Sequence, residues 1–135
     1  MEKRGQVSLE YLMIVGFVIA VLIPTSILAY NDFKEKEDII RVRQAEQAAY
    51  AIVKEAESVY YLGPPSISTM EVYLPDQIFD IYVANYDFTI RVHTKHGIED
   101  VSVPSKVNIT GMLSETQGVH RVRLSAQGAY VEVIG

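Results

Sequence analysis

Few side chains in this sequence could do chemistry on their own. His93, His96 and His120 could gather as metal ligands, but the sequence contains no cysteine and no carboxylate pattern beside them. Glu99 and Asp100 are neighbours on a predicted strand, so their side chains would point to opposite faces. The sequence also lacks nucleophile-elbow, phosphate-loop and zinc-helix motifs. It therefore predicts neither an enzyme nor a cofactor or metal site.

One short motif fits a covalent modification. Asn108-Ile109-Thr110 matches the Asn-x-Ser/Thr acceptor for N-linked glycans. An outward-facing Asn108 could carry a glycan if this part of the chain lies outside the cell, whereas an inward-facing strand position would forbid it. The sequence alone leaves that orientation open.

The charge pattern near the N-terminus predicts a membrane-spanning helix. Residues 11 to 31 carry no charge, and as a helix they would be roughly 31 Å long, which matches a hydrocarbon core of about 30 Å. The leader charges Lys3 and Arg4 precede this stretch, and charges of mixed sign follow it from Asp32. The positive-inside bias then places the N-terminus in the cytoplasm and the bulk of the chain outside. Since a secretory signal has a shorter apolar region, of about 7 to 15 residues, cleavage before the apolar run is favoured.

The residues at this junction resemble a known family. Arg4-Gly5-Gln6-Val7-Ser8-Leu9-Glu10-Tyr11-Leu12 is similar to the class III signal peptide of archaeal type IV pilin-like proteins. In that family a basic leader ending in glycine is cut before a Gln-x-Ser-x-Glu-Tyr-Leu segment. The resemblance implies that Gly5 and Gln6 flank the bond cut by a prepilin peptidase on the cytoplasmic side. The other residues that match the motif are Ser8, Glu10, Tyr11 and Leu12.

Glu10 lies at the mouth of the apolar helix. A carboxylate costs about 2.5 to 3.5 kcal/mol at the bilayer centre, less near the interface, and usually marks a pairing partner. Cleavage would supply one, because the new α-amino group of Gln6 is a helical i,i+4 neighbour of Glu10. The resemblance implies that this amine instead meets Glu10 of another chain in a filament. The alternative is a Glu10 that is merely solvated among lipid head groups.

Three positions inside the span bear on helix packing. Gly16 and Ala20 form a small-xxx-small pair, which would let another helix approach closely. Pro24 removes one backbone donor and frees the carbonyl of Ala20, so a bend or local melting is expected there. The hydroxyls of Thr25 or Ser26 could satisfy the loose backbone groups.

After the span, the sequence predicts a continuing helix and then a sheet. Apolar residues recur at spacings of three and four from Ile39 to Tyr60. No glycine or further proline interrupts before Gly63-Pro64-Pro65, so the helix is predicted to end near Leu62. Packing on a sheet is favoured for this half, with a coiled coil or bundle as the alternative. Short runs rich in Val, Ile, Tyr and Thr then predict strands, at Glu71–Leu74, Ile78–Ala84, Asp87–Thr94, Ile98–Val103, Val107–Met112, Val119–Leu124 and Tyr130–Ile134.

The predicted fold class is α+β, with a long N-terminal helix packed on a C-terminal antiparallel sheet or small β-sandwich. Turns are predicted at Asn85-Tyr86, Lys95-His96-Gly97, Gln117-Gly118 and Gln127-Gly128. The predicted organisation is a cleaved leader (1–5), a transmembrane or filament-core helix (6–31), an amphipathic continuation (32–62), a linker (63–69) and a β-rich extracellular domain (70–135).

Composition and resemblance together lead to a structural role. The formal net charge of −5 gives no indication of nucleic-acid binding. The resemblance implies a pilin of an archaeal surface filament that serves adhesion, with copies of itself, a prepilin peptidase, an assembly ATPase and its membrane platform as partners. A permanently anchored extracellular binding module, a minor or priming pilin and, more remotely, a secreted enzyme with a deep polar pocket are the alternatives.

Overall fold

The computed structural model describes residues 2 to 135, and the side chains of residues 5 to 135. One helix, α1 (Glu2–Leu62), is followed by five strands: β1 (Ile67–Leu74), β2 (Ile78–Thr94), β3 (Gly97–Met112), β4 (Gly118–Ala126) and β5 (Val131–Ile134). The chain divides into a first unit that ends at Glu37 and a second unit, Asp38–Gly135. The predicted α+β class is confirmed.

The helix ends where the sequence predicts. Gly63 adopts a φ of +75°, which glycine reaches without strain, and its amide donates to the carbonyl of Tyr60 at 3.0 Å. The two prolines that follow cannot continue a helix. The chain then enters β1 at Ile67, four residues before the predicted strand at Glu71.

The sheet is mixed rather than wholly antiparallel. Its strand order is β1-β4-β5-β3-β2, and three of its pairings are antiparallel. The fourth, between β3 and β5, is parallel, with Ile109 opposite Val131 and Met112 opposite Ile134. The antiparallel prediction is wrong for this pair because alternation of polarity along a strand reveals which face is buried but not the direction of its neighbour.

The run β2 reverses direction within itself. Fully extended, its 17 residues would separate its ends by about 50 Å, at about 3.3 Å per residue. Instead the amide of His93 donates to the carbonyl of Gln77 at 2.8 Å, and the rings of Phe79 and His93 meet edge to face with centroids 5.2 Å apart. Asn85, midway between these contacts, has a φ of 60°, which asparagine tolerates in turns. The turn predicted at Asn85-Tyr86 therefore lies inside β2.

The remaining strands follow the predicted segments with local changes. β3 joins the predicted strands Ile98–Val103 and Val107–Met112 into one run, and its register with β2 shifts between the two halves. The predicted Lys95-His96-Gly97 turn connects β2 to β3, where Thr94 pairs with Gly97. At the predicted Gln127-Gly128 turn, the amide of Gln127 donates to the carbonyl of Tyr130 at 2.9 Å.

The hydrophobic core lies between residues 38–62 of α1 and one face of the sheet. Ala45, Ala49 and Ala56 are fully buried, and these small side chains let the helix approach the sheet closely. The core-facing strand residues are mainly β-branched or aromatic: Val72, Val83, Phe88, Ile90, Val92, Val101, Val107, Ile109, Val122, Val131 and Val133.

Ile39 is the exception on the predicted apolar stripe, since 47% of it is exposed. At this level the helix contacts the turns that connect β1 to β2 and β2 to β3, and these contacts are polar. Asp38 accepts the backbone amide of Lys95 at 2.8 Å, and Arg41 reaches Asp76 at 2.6 Å. The burial prediction for Ile39 is wrong because these charged side chains take the sheet-facing positions there.

Gly111 lies close against the backbone of β5. A Cβ atom at this position would lie 1.8 Å from the carbonyl oxygen of Val133 and 2.6 Å from its carbonyl carbon. No side chain fits in that space, so the parallel pairing of β3 with β5 requires glycine here.

Candidate processing and assembly segment

The residues of the predicted cleavage site lie in the first turns of α1. Gly5 and Gln6 are helical and exposed. A Cβ atom on Gly5 would meet nothing within 4 Å, so the fold of the described chain does not require glycine there. Any requirement for glycine must then come from another molecule. The side chains of the leader residues Lys3 and Arg4 lie outside the described residues.

The other motif residues are also helical and exposed. Glu10 follows Gln6 by four residues, which places both on one helical face. None of the described side chains forms an ion pair or hydrogen bond with Glu10. Tyr11 and Leu12 are 69% and 67% exposed, and Ser8 is exposed as well. The motif therefore makes no packing contribution to the fold of a single chain.

The first unit presents a long, uncovered apolar surface. All of its described side chains from residue 5 to residue 37 are exposed except Val15, which is half-buried. An 18-residue window of this helix reaches a mean hydropathy of 2.6, and none of it is buried. By length and composition the helix could cross a membrane. An exposed apolar surface of this extent is typical of segments that contact lipid or another protein.

The helix continues without a break through Pro24. The hydroxyl of Thr25 donates to the carbonyl of Val21, and that of Ser26 to the carbonyl of Leu22, each at 2.8 Å. The two hydroxyls thus bond to carbonyls near the proline but not to the carbonyl of Ala20, which Pro24 deprives of its donor. The predicted local melting is not found, and a bend at this position stays a prediction.

Gly16, like Gly5, has no neighbour within 4 Å of a built Cβ atom. A small residue at this position is therefore not required by contacts within the described chain. Close approach of a second helix, as predicted from Gly16 and Ala20, would give it a role. At the other end of the segment the ammonium of Lys34 lies 4.8 Å from the centre of the Tyr30 ring, a cation–π distance.

Polar contacts in the second unit fix the helix on the sheet. Arg41 donates from Nε to Asp76 and from Nη1 to Asp38, both at 2.6 Å. The Arg41 guanidinium beside Asp76, chiefly by its hydrogen bond, holds the pKa of that carboxyl below its usual range against the opposing effect of burial. Farther along, Glu55 accepts from the hydroxyl of Ser68 at 2.6 Å.

Another carboxylate on α1, that of Glu57, forms a hydrogen bond with the middle of β3. Glu57 accepts the backbone amide of Lys106 at 2.9 Å, in the part of β3 where its register with β2 shifts. The sequence pattern gave no sign of these contacts, because acidic residues on the polar side of an amphipathic helix usually face solvent. They hold residues 38–62 of α1 against the rest of the second unit.

The remaining candidates from the sequence are dispersed. His93 contacts Phe79 through its ring, whereas His120 lies 2.7 Å from the carbonyl of Thr116. Among the described side chains, those of residues 5 to 135, no group of three or more His, Asp or Glu is placed to hold a metal ion. Asp100 pairs with Arg91 at 3.3 Å on the surface. These residues form no common site.

Comparison of the chain with protein-family models, with curated proteins and with solved structures finds no match. Inferences about function therefore rest on the exposed apolar helix and on the folded α+β unit.

Proposed function

We propose that this chain is a structural subunit, a pilin, of an archaeal type IV pilus-like surface filament that serves adhesion. It is made as a membrane-inserted precursor, cut after Gly5 and polymerised through its N-terminal helix. The observation that carries the proposal is the exposed helical segment of residues 5–37, which contains the uncharged stretch 11–31 and is continuous in sequence with a helix that packs on a five-stranded sheet.

The uncovered surface explains why the same helix would serve in two environments. Full burial of a large aliphatic or aromatic side chain contributes about 1.5 to 3 kcal/mol. Phe17 and Leu28 are 72% and 65% exposed, and many side chains around them are similar. Lipid covers this surface in the precursor, and neighbouring helices cover it in the filament. Because residues 11 to 31 carry no charge, none has to be desolvated in either state.

Glu10 and Gln6 would set the register between subunits. Cleavage before Gln6 creates an α-amino group, and Glu10 has no partner among the described residues of its own chain. Apolar surroundings strengthen an ion pair between these groups, and they make an unpaired Glu10 costly. A carboxylate in an apolar contact would therefore favour the one stagger that brings it to an amine.

The partners of this scheme are further copies of the chain, a prepilin peptidase, an assembly ATPase with its membrane platform, and the membrane before assembly. The position of Gly5 is compatible with the peptidase assignment, because the described fold leaves open space around it. Since the Gly5–Gln6 bond lies in the helix, cleavage would require the first turn to unwind in the peptidase site.

The deciding experiment is to determine the mature N-terminus of native surface protein by intact mass and terminal peptide sequencing, and to image the same preparation for filaments. Filaments composed of a chain that starts at Gln6 are the expected result. A chain that keeps Met1, found as monomers in detergent, would replace the proposal with a permanently anchored binding module. A start near Tyr30 would indicate a secreted soluble domain. A start at Gln6 in a substoichiometric component of the filament would indicate a minor or priming pilin.

A further inference from the structure

Asn108 lies on the face of β3 that points away from the helix. Its neighbours Val107 and Ile109 are in the core, at 4% and 0% exposed, and side chains alternate between the two faces of a strand. Asn108 is half-buried, and Thr110, on the same face, is exposed. The two side chains of the Asn-Ile-Thr motif therefore share the outer face of the sheet.

The amide group of Asn108 is accessible. No described residue forms a hydrogen bond with its side chain, and among the described residues no buried polar side-chain atom lacks a partner. An amide without a partner that is not buried must be hydrated. Its Nδ2 atom is thus available for reaction, and the fold would lose no hydrogen bond if that atom were substituted.

The outer face next to Thr110 carries small or charged neighbours and, farther along, exposed apolar side chains. Thr110 is flanked by Ala84 on β2 and by Glu132 on β5, neither of which is a bulky aromatic. Met112, next along this face, is 83% exposed, and its partner on β5, Ile134, is 53% exposed. A sugar attached at Asn108 would lie beside these apolar side chains and shield them from water.

We propose that Asn108 is an acceptor for an N-linked oligosaccharide. The donor is a saccharide linked through phosphate to a polyprenyl lipid at the outer face of the membrane. Nδ2 forms a bond to the anomeric carbon, and the bond from that carbon to the lipid phosphate oxygen breaks. The phosphate leaves with the electron pair, and the proton lost by the amide nitrogen is taken up by that phosphate, so no oxidant or reductant is involved. The inference rests on the external position of the sheet in the proposed function but does not require polymerisation.

The test is mass spectrometry of peptides from the full-length protein isolated from its native cells. The peptide that contains Asn108 should carry a saccharide mass, and Asn108→Gln or Thr110→Val should remove it completely. Thr110→Ser should retain it, because serine keeps the hydroxyl that the motif needs. Asn31→Gln, at an exposed asparagine on α1 outside any such motif, is the matched control and should leave the glycan unchanged.

A second measurement tests the external position of the sheet independently of the glycan. Since the sequence has no cysteine, Glu115→Cys in the exposed segment between β3 and β4 gives a single reporter for a membrane-impermeant maleimide on intact cells. A labelled reporter with an unmodified Asn108 would overturn the glycan and leave the proposed function standing. An unlabelled reporter with an unmodified Asn108 would overturn the external position, and with it both proposals.

Discussion

Replacing Gly111 by alanine should break the pairing between β3 and β5. The new Cβ atom would lie 1.8 Å from the carbonyl oxygen of Val133 and 2.9 Å from its backbone nitrogen. These are backbone atoms, so no rotation of a side chain can relieve the overlap. The two strands would have to separate by more than about 1 Å, which is beyond what a hydrogen bond tolerates.

The expected loss of folding free energy can be estimated from the contacts that the pairing of β3 with β5 maintains. Four register pairs connect β3 to β5, and a backbone hydrogen bond contributes about 0.5 to 1.5 kcal/mol net. Ile109, Val131 and Val133 are fully buried at this position, so separation would also loosen the core. We expect a loss of about 3 to 5 kcal/mol, a large part of the 5 to 15 kcal/mol typical of a folded domain.

Urea unfolding of the detergent-solubilised full-length protein, followed by tyrosine fluorescence, would measure this loss. Gly135→Ala is the matched control, because its Cβ atom would meet only side-chain atoms of Val122 and Leu113, at 3.2 and 3.5 Å. The control should change the free energy of unfolding by less than about 1 kcal/mol. If Gly111→Ala unfolds within about 0.5 kcal/mol of the original protein, the close approach does not constrain the sheet and the reasoning is wrong.

Three further predictions concern the segment and the ionic contacts. Gly5→Val should block trimming of the precursor while leaving the fold intact, since nothing in the described chain crowds this position; an immunoblot that still finds mature protein would contradict it. Glu10→Ala should leave insertion and trimming largely intact but strongly reduce filament number by electron microscopy, whereas normal filaments would remove the pairing role. Asp76→Asn should cost about 0.5 to 1 kcal/mol at neutral pH after solvent screening, because it weakens the contact to Arg41. Since the folded pKa of Asp76 is lowered, this stabilisation is present above the unfolded value and is lost as pH falls through the folded value; a urea midpoint difference from the original protein that is equal at pH 7 and pH 3 would refute the assignment.

Local pattern was sufficient to predict the helix and the faces of the strands. Apolar periodicity together with Gly63-Pro64-Pro65 predicted the helix end at Leu62. In the predicted strands Asp87–Thr94 and Val119–Leu124, apolar and polar residues alternate, and apolar members such as Phe88 and Val122 are buried. Both features depend on neighbours a few residues apart, so the sequence records them directly.

Long-range pairing could not be predicted in the same way. The parallel neighbours β3 and β5 are joined only through β4, and no residue type indicates that β5 inserts between β3 and β4. The start of β1 at Ile67 could not be predicted from the sequence for a similar reason. Its first residues are rich in serine and threonine and resemble a loop, but Ser68 is held by Glu55 on the helix. These contacts depend on residues 13 or more positions apart.

The candidate site also contains residues that local sequence could identify and residues that it could not. Gly5, Gln6 and Glu10 were chosen from a contiguous motif, and the fold leaves all three exposed. The residues that seat the helix on the sheet, among them Arg41 and Glu57, were missed because their partners Asp76 and Lys106 lie far along the chain. Charged residues on a helix normally indicate a solvated face. The sequence pattern alone therefore did not indicate that these side chains contact the rest of the folded unit.

Because β5 lies in the middle of the sheet but comes last in the sequence, the sheet can be completed only when the C-terminal residues have been synthesised. The β2–β3 hairpin and the pair formed by β1 and β4 lie on opposite sides of β5, which is the last of the five strands to be synthesised. Until residues 131–134 arrive, no strand joins the two halves of the sheet and their inner edges stay unpaired. For a chain delivered through a membrane behind its own N-terminal helix, translocation would have to finish before the outer domain could close. A stalled or shortened chain would then display open strand edges, which is the kind of surface that quality-control proteases and chaperones recognise.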